Sequence, residues 1–120
     1  MLKLNIISDI PVTAVTIQNN TSVYTYGSTV MLTCATTSRP ASTLSWTKNG
    51  VPITSSGNMK ITYSVEPVAH ILTQSILVFS NLTLNNNGDY RCIAQYTTNG
   101  NTNTVQSSVF ALSKSSLYFT

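Results

Sequence analysis

The sequence NNNGDYRC (residues 85–92) places a glycine and then a tyrosine directly before the second of the chain's two cysteines. It continues as DYRCIAQY (89–96), in which every second residue falls on one side of the backbone. A period of two is typical of a strand with one buried face. The residues that this alternation aligns on one side are Tyr90, Cys92, Ala94 and Tyr96. The other strand-like segments of the sequence indicate which fold places a tyrosine at this position.

Further strand-like segments have the same alternation, namely GSTVMLTC (27–34), LSWTKNG (44–50) and SILVFSNLTL (75–84). Glycines and Asn-Gly pairs separate these segments and mark turns. No segment sustains the 3.6-residue period of an amphipathic helix. Many short strands between turns predict an all-β protein with two packed sheets or a barrel. The predicted core consists of Val30, Leu32, Cys34, Leu44, Trp46, Ile61, Leu77, Phe79, Leu82, Tyr90, Cys92 and Ala94.

Length and composition limit the functions that this chain can have. A chain of 120 residues is one domain with a single core. Only 8% of the residues are charged and the net charge is +3, so we expect no basic patch and no nucleic-acid partner. Two cysteines and one histidine cannot form a four-ligand zinc site, and we expect no metal and no cofactor. A disulfide is the simplest use of both cysteines, and it would place the protein in an oxidising compartment.

Catalysis has few candidate residues in this sequence. The acids and the histidine that could serve as a base are Asp9, Glu66, His70 and Asp89. Glu66 and His70 are close in sequence and serines are plentiful, but this stretch is interpreted as a solvated loop with nothing to exclude water. A glycine-rich phosphate loop is also absent. The sequence therefore predicts a protein that is not an enzyme.

Cys34 is followed twelve residues later by Trp46, and the run from Leu77 to Cys92 contains Leu82, Gly88 and Tyr90 at fixed distances before the second cysteine. The spacing of these residues resembles that of an immunoglobulin-superfamily domain. The resemblance covers residues 27–96, which correspond to strands B, C, E and F. It implies an immunoglobulin-like, antiparallel Greek-key β-sandwich in which a Cys34–Cys92 disulfide joins the two sheets.

Particular residues take structural roles from this resemblance. Trp46 is expected to lie against the disulfide. Tyr90 is expected to form a tyrosine corner, with its ring buried and its hydroxyl bound to backbone a few residues upstream. Gly88 is expected to give that turn its backbone freedom. The family usually has an aspartate where this chain has Asn86, so only a weak contact with Lys60 is expected.

The subtype predicted by the resemblance is an I-set or V-like domain. The segment VPI (51–53) resembles strand C′, and KITYSV (60–65) resembles strand D. The Gly-x-Gly bulge of antigen receptors is missing from residues 102–112. We therefore do not expect the chain to pair with a partner as antibody domains do.

The resemblance implies a function in extracellular recognition. We expect a non-catalytic adhesion or receptor module that binds a protein, either another protein or a second copy in a weak homodimer. The alternatives are a spacer that binds nothing and a secreted immune decoy. The predicted binding surface, called here the C–F–G face, consists of the outward side chains of strands C, F and G. Its candidate residues are Ser45, Thr47, Arg91, Ile93, Gln95 and Tyr96.

The sequence contains three asparagines in N-glycosylation motifs. Candidate N-glycosylation sites are Asn19, Asn20 and Asn81, of which the first two overlap.

We interpret residues 1–10 as a lead-in or an added segment, residues 11–113 as the domain, and residues 114–120 as a linker or the start of another module. The first residues do not resemble a complete signal peptide, and no apolar run is long enough for a membrane span, so any anchor is expected outside this sequence.

Overall fold

The computed structural model describes residues 12, 14–19, 25–67 and 72–112. Within these ranges the regular structure is almost entirely β-strand, with one 3₁₀ turn at Leu84–Asn86. The strands are β1 (Thr16–Asn19), β2 (Val30–Thr37), β3 (Thr43–Lys48), β4 (Val51–Ile53), β5 (Met59–Val65), β6 (Leu72–Phe79), β7 (Gly88–Thr98), β8 (Asn101–Gln106) and β9 (Phe110–Leu112). None of the described residues form a helix that is long and apolar enough to cross a membrane.

The strands form two antiparallel sheets packed face to face. One sheet has the order β1-β2-β6-β5, and the other has the order β4-β3-β7-β8 with β9 also paired to β7. In the family's lettering these sheets are A-B-E-D and C′-C-F-G, with strand G divided into β8 and β9. The predicted all-β immunoglobulin-like sandwich is confirmed. The predicted domain boundaries lie outside the described residues.

The strands predicted from the sequence are present with shifted ends. The predicted C′ segment is β4 without change, and the predicted D segment becomes β5 with one residue more at its start. Asn-Gly pairs close two hairpins, at 49–50 and at 99–100. Both residues of each pair have positive φ, which is the backbone conformation of a type I′ turn. Asparagine and glycine tolerate this conformation best, so the sequence of each pair fixes the tight turn.

The core lies between the sheets around the disulfide that joins Cys34 of β2 to Cys92 of β7. Trp46 is directly opposite Cys92 in the β3–β7 pairing, and both residues are fully buried. The Trp46 indole donates a hydrogen bond to the Ser75 hydroxyl at 2.9 Å, and that hydroxyl donates to the Thr62 carbonyl at 2.7 Å. The single tryptophan therefore fills the centre and also links the two sheets through its polar atom.

Most of the predicted core is confirmed. Leu44 and Ile61 are only half-buried, although both pack against the core. Three further side chains outside the predicted core are buried, namely Val15, Tyr96 and Leu112.

Tyr90 forms the predicted tyrosine corner. Its hydroxyl donates a hydrogen bond of 2.6 Å to the Asn86 carbonyl, and its ring meets the Phe79 ring edge-on at a centroid distance of 5.4 Å. Burial raises the pKa of the Tyr90 hydroxyl from 10.0 to about 12. Gly88 has a φ of 159°, which residues with a side chain rarely adopt, so its backbone freedom is used as expected from the sequence. A Cβ atom there would also lie 2.9 Å from Cε of Lys48, so the close approach of Lys48 is a second reason for glycine at this position.

Asn86 does not use Lys60 as its partner. The Asn58 side chain donates to Oδ1 of Asn86 at 2.7 Å, and the Asn86 side chain donates back to Oδ1 of Asn58 at 3.3 Å. Lys60 lies two residues further along and is exposed. A neutral amide pair therefore stands where a weak contact with Lys60 was expected, and Asn86 supplies a donor that an aspartate would lack.

Strand G is interrupted between β8 and β9. Gln106 is opposite Ile93 and Phe110 is opposite Tyr90, so three residues of strand G face two residues of β7. The Ser107 amide donates to the Cys92 carbonyl at 2.9 Å, and the Ser107 hydroxyl accepts from the Cys92 amide at 3.0 Å. The break is thus a β-bulge in which one serine provides both the donor and the acceptor that the ladder needs.

Candidate binding face

The C–F–G face is formed by residues that alternate with the buried ones in β3 and β7. Ser45 lies opposite Ile93, and Ile93 lies opposite Gln106 on β8. Thr47 lies opposite Arg91, one step nearer the C–C′ turn. Because directly paired residues in an antiparallel sheet point to the same side, these side chains form adjacent rows on one surface. Gln95 belongs to the next row, opposite Thr43 and Thr104.

A shallow depression of about 420 Å³ lies on this face. It brings together three of the predicted residues, Thr47, Arg91 and Ile93. Its remaining lining residues are Asn49, Gly50, Asp89, Gln106 and Val109. Ser45 and Gln95 are exposed on the same face but outside the depression. The geometry therefore gathers half of the predicted surface into one concave site.

Hydrogen bonds hold the walls of the depression in place. The Asn49 amide donates to the Asp89 carbonyl at 2.7 Å, and the Asp89 amide donates to Oδ1 of Asn49 at 2.9 Å. Across the site, Nη1 of Arg91 donates to Oε1 of Gln106 at 2.9 Å. The C–C′ turn and strand G are thus both tied to strand F, which preorganises the side chains between them.

The chemistry of the depression is mixed rather than apolar. Asp89 and Arg91 provide one charge of each sign, and both are exposed. Ile93 is half-buried at the centre, and Val109 is 42% exposed at the bulge. Apart from Gly50, the other lining residues, Thr47, Asn49 and Gln106, have neutral hydrogen-bonding side chains. Such a surface can bind polar backbone and side-chain groups of another protein while covering a small apolar spot.

Two predicted residues of the face differ from expectation. Tyr96 was expected at the surface near the F–G turn, but it is only 2% exposed and points into the core. Its hydroxyl donates to the Arg39 carbonyl at 3.1 Å, so the loop after β2 covers it. The expectation of a surface position is wrong for Tyr96, which cannot contact a partner. Thr47 does point outward, but its neighbours leave it only 8% exposed.

The residues that close the depression were not predicted from the sequence. Gln106 and Val109 are in strand G, where the bulge changes which residues face outward, and the alternation in the sequence contains no signal of that shift. Asn49 could have been found, because an Asn-Gly turn at the end of strand C has to lie next to the strand that pairs with C. Asp89 could also have been found, since it is two residues before Arg91 on the same side of strand F.

Two of the candidate glycosylation residues lie on the sheet opposite the candidate binding residues. Asn81 is exposed in the turn after β6, and Asn19 is exposed at the end of β1. Both belong to the A-B-E-D sheet, whereas the candidate binding residues belong to the other sheet. Asn20 is outside the described residues.

Comparisons with known proteins agree with the architecture. The sequence model of the immunoglobulin domain matches residues 14–95. No curated protein matches the sequence closely enough to count as a relative. Among solved structures, the N-terminal eight Ig domains of Down Syndrome Cell Adhesion Molecule (DSCAM) isoform 1.30.30 match with a TM-score of 0.59 over 83% of this chain, at 20% identity. The present chain spans 12% of that structure's chain.

Proposed function

Because this chain belongs to the immunoglobulin domain family, we propose that it is a non-catalytic recognition module of an extracellular adhesion protein or receptor. It binds a protein partner through the C–F–G face. One observation carries the proposal: Ile93, Arg91 and neutral hydrogen-bonding side chains surround a single preorganised depression on that face.

An extracellular location is supported by the cysteines. The chain has two, and both are used in the bridge between Cys34 and Cys92. Structural disulfides persist in oxidising compartments and are rare in the cytosol. The matched structure is that of a cell adhesion molecule with eight immunoglobulin domains in its N-terminal part. An adhesion role for this chain is consistent with that likeness, which by itself concerns the fold.

The composition of the depression favours a protein as the ligand. Protein interfaces usually have an apolar centre, from which water is excluded, and a polar rim. Arginine is common among the residues that contribute most of the binding energy. Ile93 would provide the centre of such a contact. Arg91, Asp89 and Gln106 would provide its polar rim.

A second copy of the chain would satisfy the charges of this surface. In a contact with two-fold symmetry, both copies use the same surface. Each contact between one residue of the first copy and a different residue of the second copy is therefore present twice. Asp89 and Arg91 line the same depression, so a symmetric dimer would pair Asp89 of each copy with Arg91 of the other. The C–F–G face is therefore suited to homophilic binding.

A spacer function is the second candidate, and one observation favours it. Most outward side chains of the face are Thr, Ser and Gln, and among the exposed large apolar side chains of the described residues only Val109 lines the depression. Interaction sites on soluble proteins often have a wider exposed apolar patch. A module that merely separates its neighbours would need no such patch.

Sedimentation equilibrium over a wide concentration range tests the recognition proposal. The wild type is compared with Ile93→Asp on the C–F–G face and with Thr62→Asp, a matched control on the exposed part of β5 in the other sheet. We expect reversible self-association that Ile93→Asp abolishes and Thr62→Asp preserves. Arg91→Asp should also abolish it, and adding Asp89→Arg to that variant should restore it by reversing the proposed ion pair.

Binding to a different protein requires a second readout from the same variants. The domain, assembled into tetramers through a biotin tag, is applied to intact cells and the bound fraction is measured. If the domain binds a different protein, the wild type and Thr62→Asp should bind the cells, whereas Ile93→Asp should not. A monomer that binds no cells, or binding equal in all variants, contradicts recognition through this face and leaves the spacer function.

A further inference from the structure

The turn after β6 contains an acceptor motif for N-linked glycans, Asn81-Leu82-Thr83. This motif is the one sequon of the chain that lies wholly within the described residues. Asn81 and Thr83 are exposed, whereas Leu82 between them is 1% exposed and belongs to the core. The two residues that define the motif are therefore presented to solvent on either side of a buried anchor.

The backbone around the motif is firmly held. The Leu82 amide donates to the Ser28 carbonyl at 2.8 Å, and the Gly27 amide donates to the Leu82 carbonyl at 2.7 Å. The Asn58 side chain donates to the Asn81 carbonyl at 3.3 Å. Within the described part of the chain no hydrogen bond uses the Asn81 side-chain amide. The fold thus uses the Asn81 backbone and leaves its side chain free for modification.

We propose that Asn81 carries an N-linked glycan. The donor is an oligosaccharide on a lipid diphosphate in the secretory pathway. A bond forms between Nδ2 of Asn81 and the anomeric carbon, the bond from that carbon to the diphosphate oxygen breaks, the amide loses one proton, and the lipid diphosphate leaves. The disulfide supports passage through that pathway independently of the sequon, because it requires an oxidising compartment.

The position of this glycan has a consequence for binding. Asn81 follows β6 of the A-B-E-D sheet and is adjacent to Gly27 and Asn58, which lie beside β2 and β5 of the same sheet. A glycan there covers the end of that sheet. The depression formed by Arg91 and Ile93 lies on the other sheet and remains accessible.

Each residue of the motif also has a structural explanation. Asn81 has a φ of 55°, and asparagine adopts this left-handed conformation more readily than other residues with a side chain. The Thr83 hydroxyl is 3.2 Å from Oδ1 of Asn86. Loss of stability in a variant would therefore not demonstrate a glycan, and the test has to detect the sugar itself.

The full 120-residue chain is secreted from a eukaryotic host behind a cleavable signal, with Asn19→Gln and Asn20→Gln removing the other motifs. Intact mass is measured before and after peptide-N-glycosidase F, which converts a glycosylated asparagine to aspartate. A tag with a known acceptor motif reports that the host is competent. The variants are Asn81→Asp, which is isosteric and tolerates the left-handed turn, Thr83→Ala, and Thr83→Ser, which retains the motif.

We expect a mass loss on enzyme treatment, with the new aspartate at position 81, in the parent and in Thr83→Ser. Asn81→Asp and Thr83→Ala should lose the shift, and Asn81→Asp should be secreted with the same circular dichroism spectrum as the parent. If the tag is glycosylated while the parent's position 81 remains an unmodified asparagine, the proposal is overturned. This result is independent of whether the C–F–G face binds a partner.

Discussion

At the scale of single residues, the Tyr90 hydroxyl provides the clearest prediction. Its hydrogen bond to the Asn86 carbonyl is buried, and Tyr90→Phe removes the donor while keeping the ring against Phe79. A buried acceptor left without a partner costs roughly 1–3 kcal/mol, and we expect the free energy of unfolding in urea to fall by that amount. The matched control is Tyr63→Phe, because the Tyr63 hydroxyl binds the Ser42 carbonyl but the residue is 49% exposed.

The pH dependence of stability gives the same variant a second readout. The pKa of Tyr90 is about 12 in the folded protein against 10.0 for an ordinary tyrosine. Between these values the unfolded chain has lost a proton that the folded chain still holds, so stability falls as pH rises. The stabilisation is complete below pH 10 and is lost through pH 12. Tyr90→Phe should flatten this decline. The assigned role would be contradicted if stability fell with pH equally steeply in the wild type and in Tyr90→Phe. It would also be contradicted if Tyr90→Phe and Tyr63→Phe lowered the free energy of unfolding equally.

Some residues could be placed from the sequence and others could not, for identifiable reasons. Tyr90 and Trp46 were placed correctly because their roles depend on the spacing to a cysteine within their own or the adjacent strand. Tyr96 shares the alternation of Tyr90, but whether it is buried depends on the distant loop that contains Arg39. Asn58 was not predicted as the partner of Asn86, because it lies two residues before Lys60, just ahead of β5, and the alternation of the sequence does not show which of these positions faces Asn86.

At the scale of elements, the bulge in strand G decides which residues border the binding face. Ser107 takes part in two hydrogen bonds with Cys92, and its hydroxyl also donates to the Ser108 carbonyl at 2.9 Å. Ser107→Ala leaves the buried Cys92 amide without an acceptor, and we expect the free energy of unfolding to fall by roughly 1–3 kcal/mol. Ser108→Ala is the matched control because Ser108 is exposed. The measurement is urea unfolding of both variants.

Hydrogen exchange adds a local test of this prediction. The Cys92 amide should exchange faster in Ser107→Ala, whereas amides of β2 and β6 should change only with global stability. Unchanged exchange at Cys92 would mean that the hydroxyl does not serve as the acceptor.

The elements themselves were largely predictable because three inner strands, β2, β6 and β7, alternate without interruption. β2 and β6 have buried residues at every second position along their length. Strand G was the least predictable, since Ser107 replaces one ladder contact with a side-chain hydroxyl and shifts the alternation by one residue. Pro52 in β4 did not prevent a correct prediction, because β4 is a three-residue edge strand where a missing amide donor is tolerated.

At the scale of the whole molecule, one covalent link crosses the core between the two packed sheets. Cys34 is in an inner strand of the first sheet, Cys92 is in an inner strand of the second, and they are 58 residues apart in sequence. A cross-link that closes a loop of this length stabilises the folded state by about 4 kcal/mol in the chain-entropy model.

Reduction of the disulfide should therefore lower the free energy of unfolding by about 4 kcal/mol. The Cys34→Ala, Cys92→Ala double variant should lose more than the reduced wild type, because it also removes two buried sulfur atoms from around Trp46. Urea unfolding followed by Trp46 fluorescence compares the oxidised protein, the reduced protein and the variant. Equal midpoints for oxidised and reduced protein would contradict the prediction, because packing around Trp46 would then hold the two sheets together without the link.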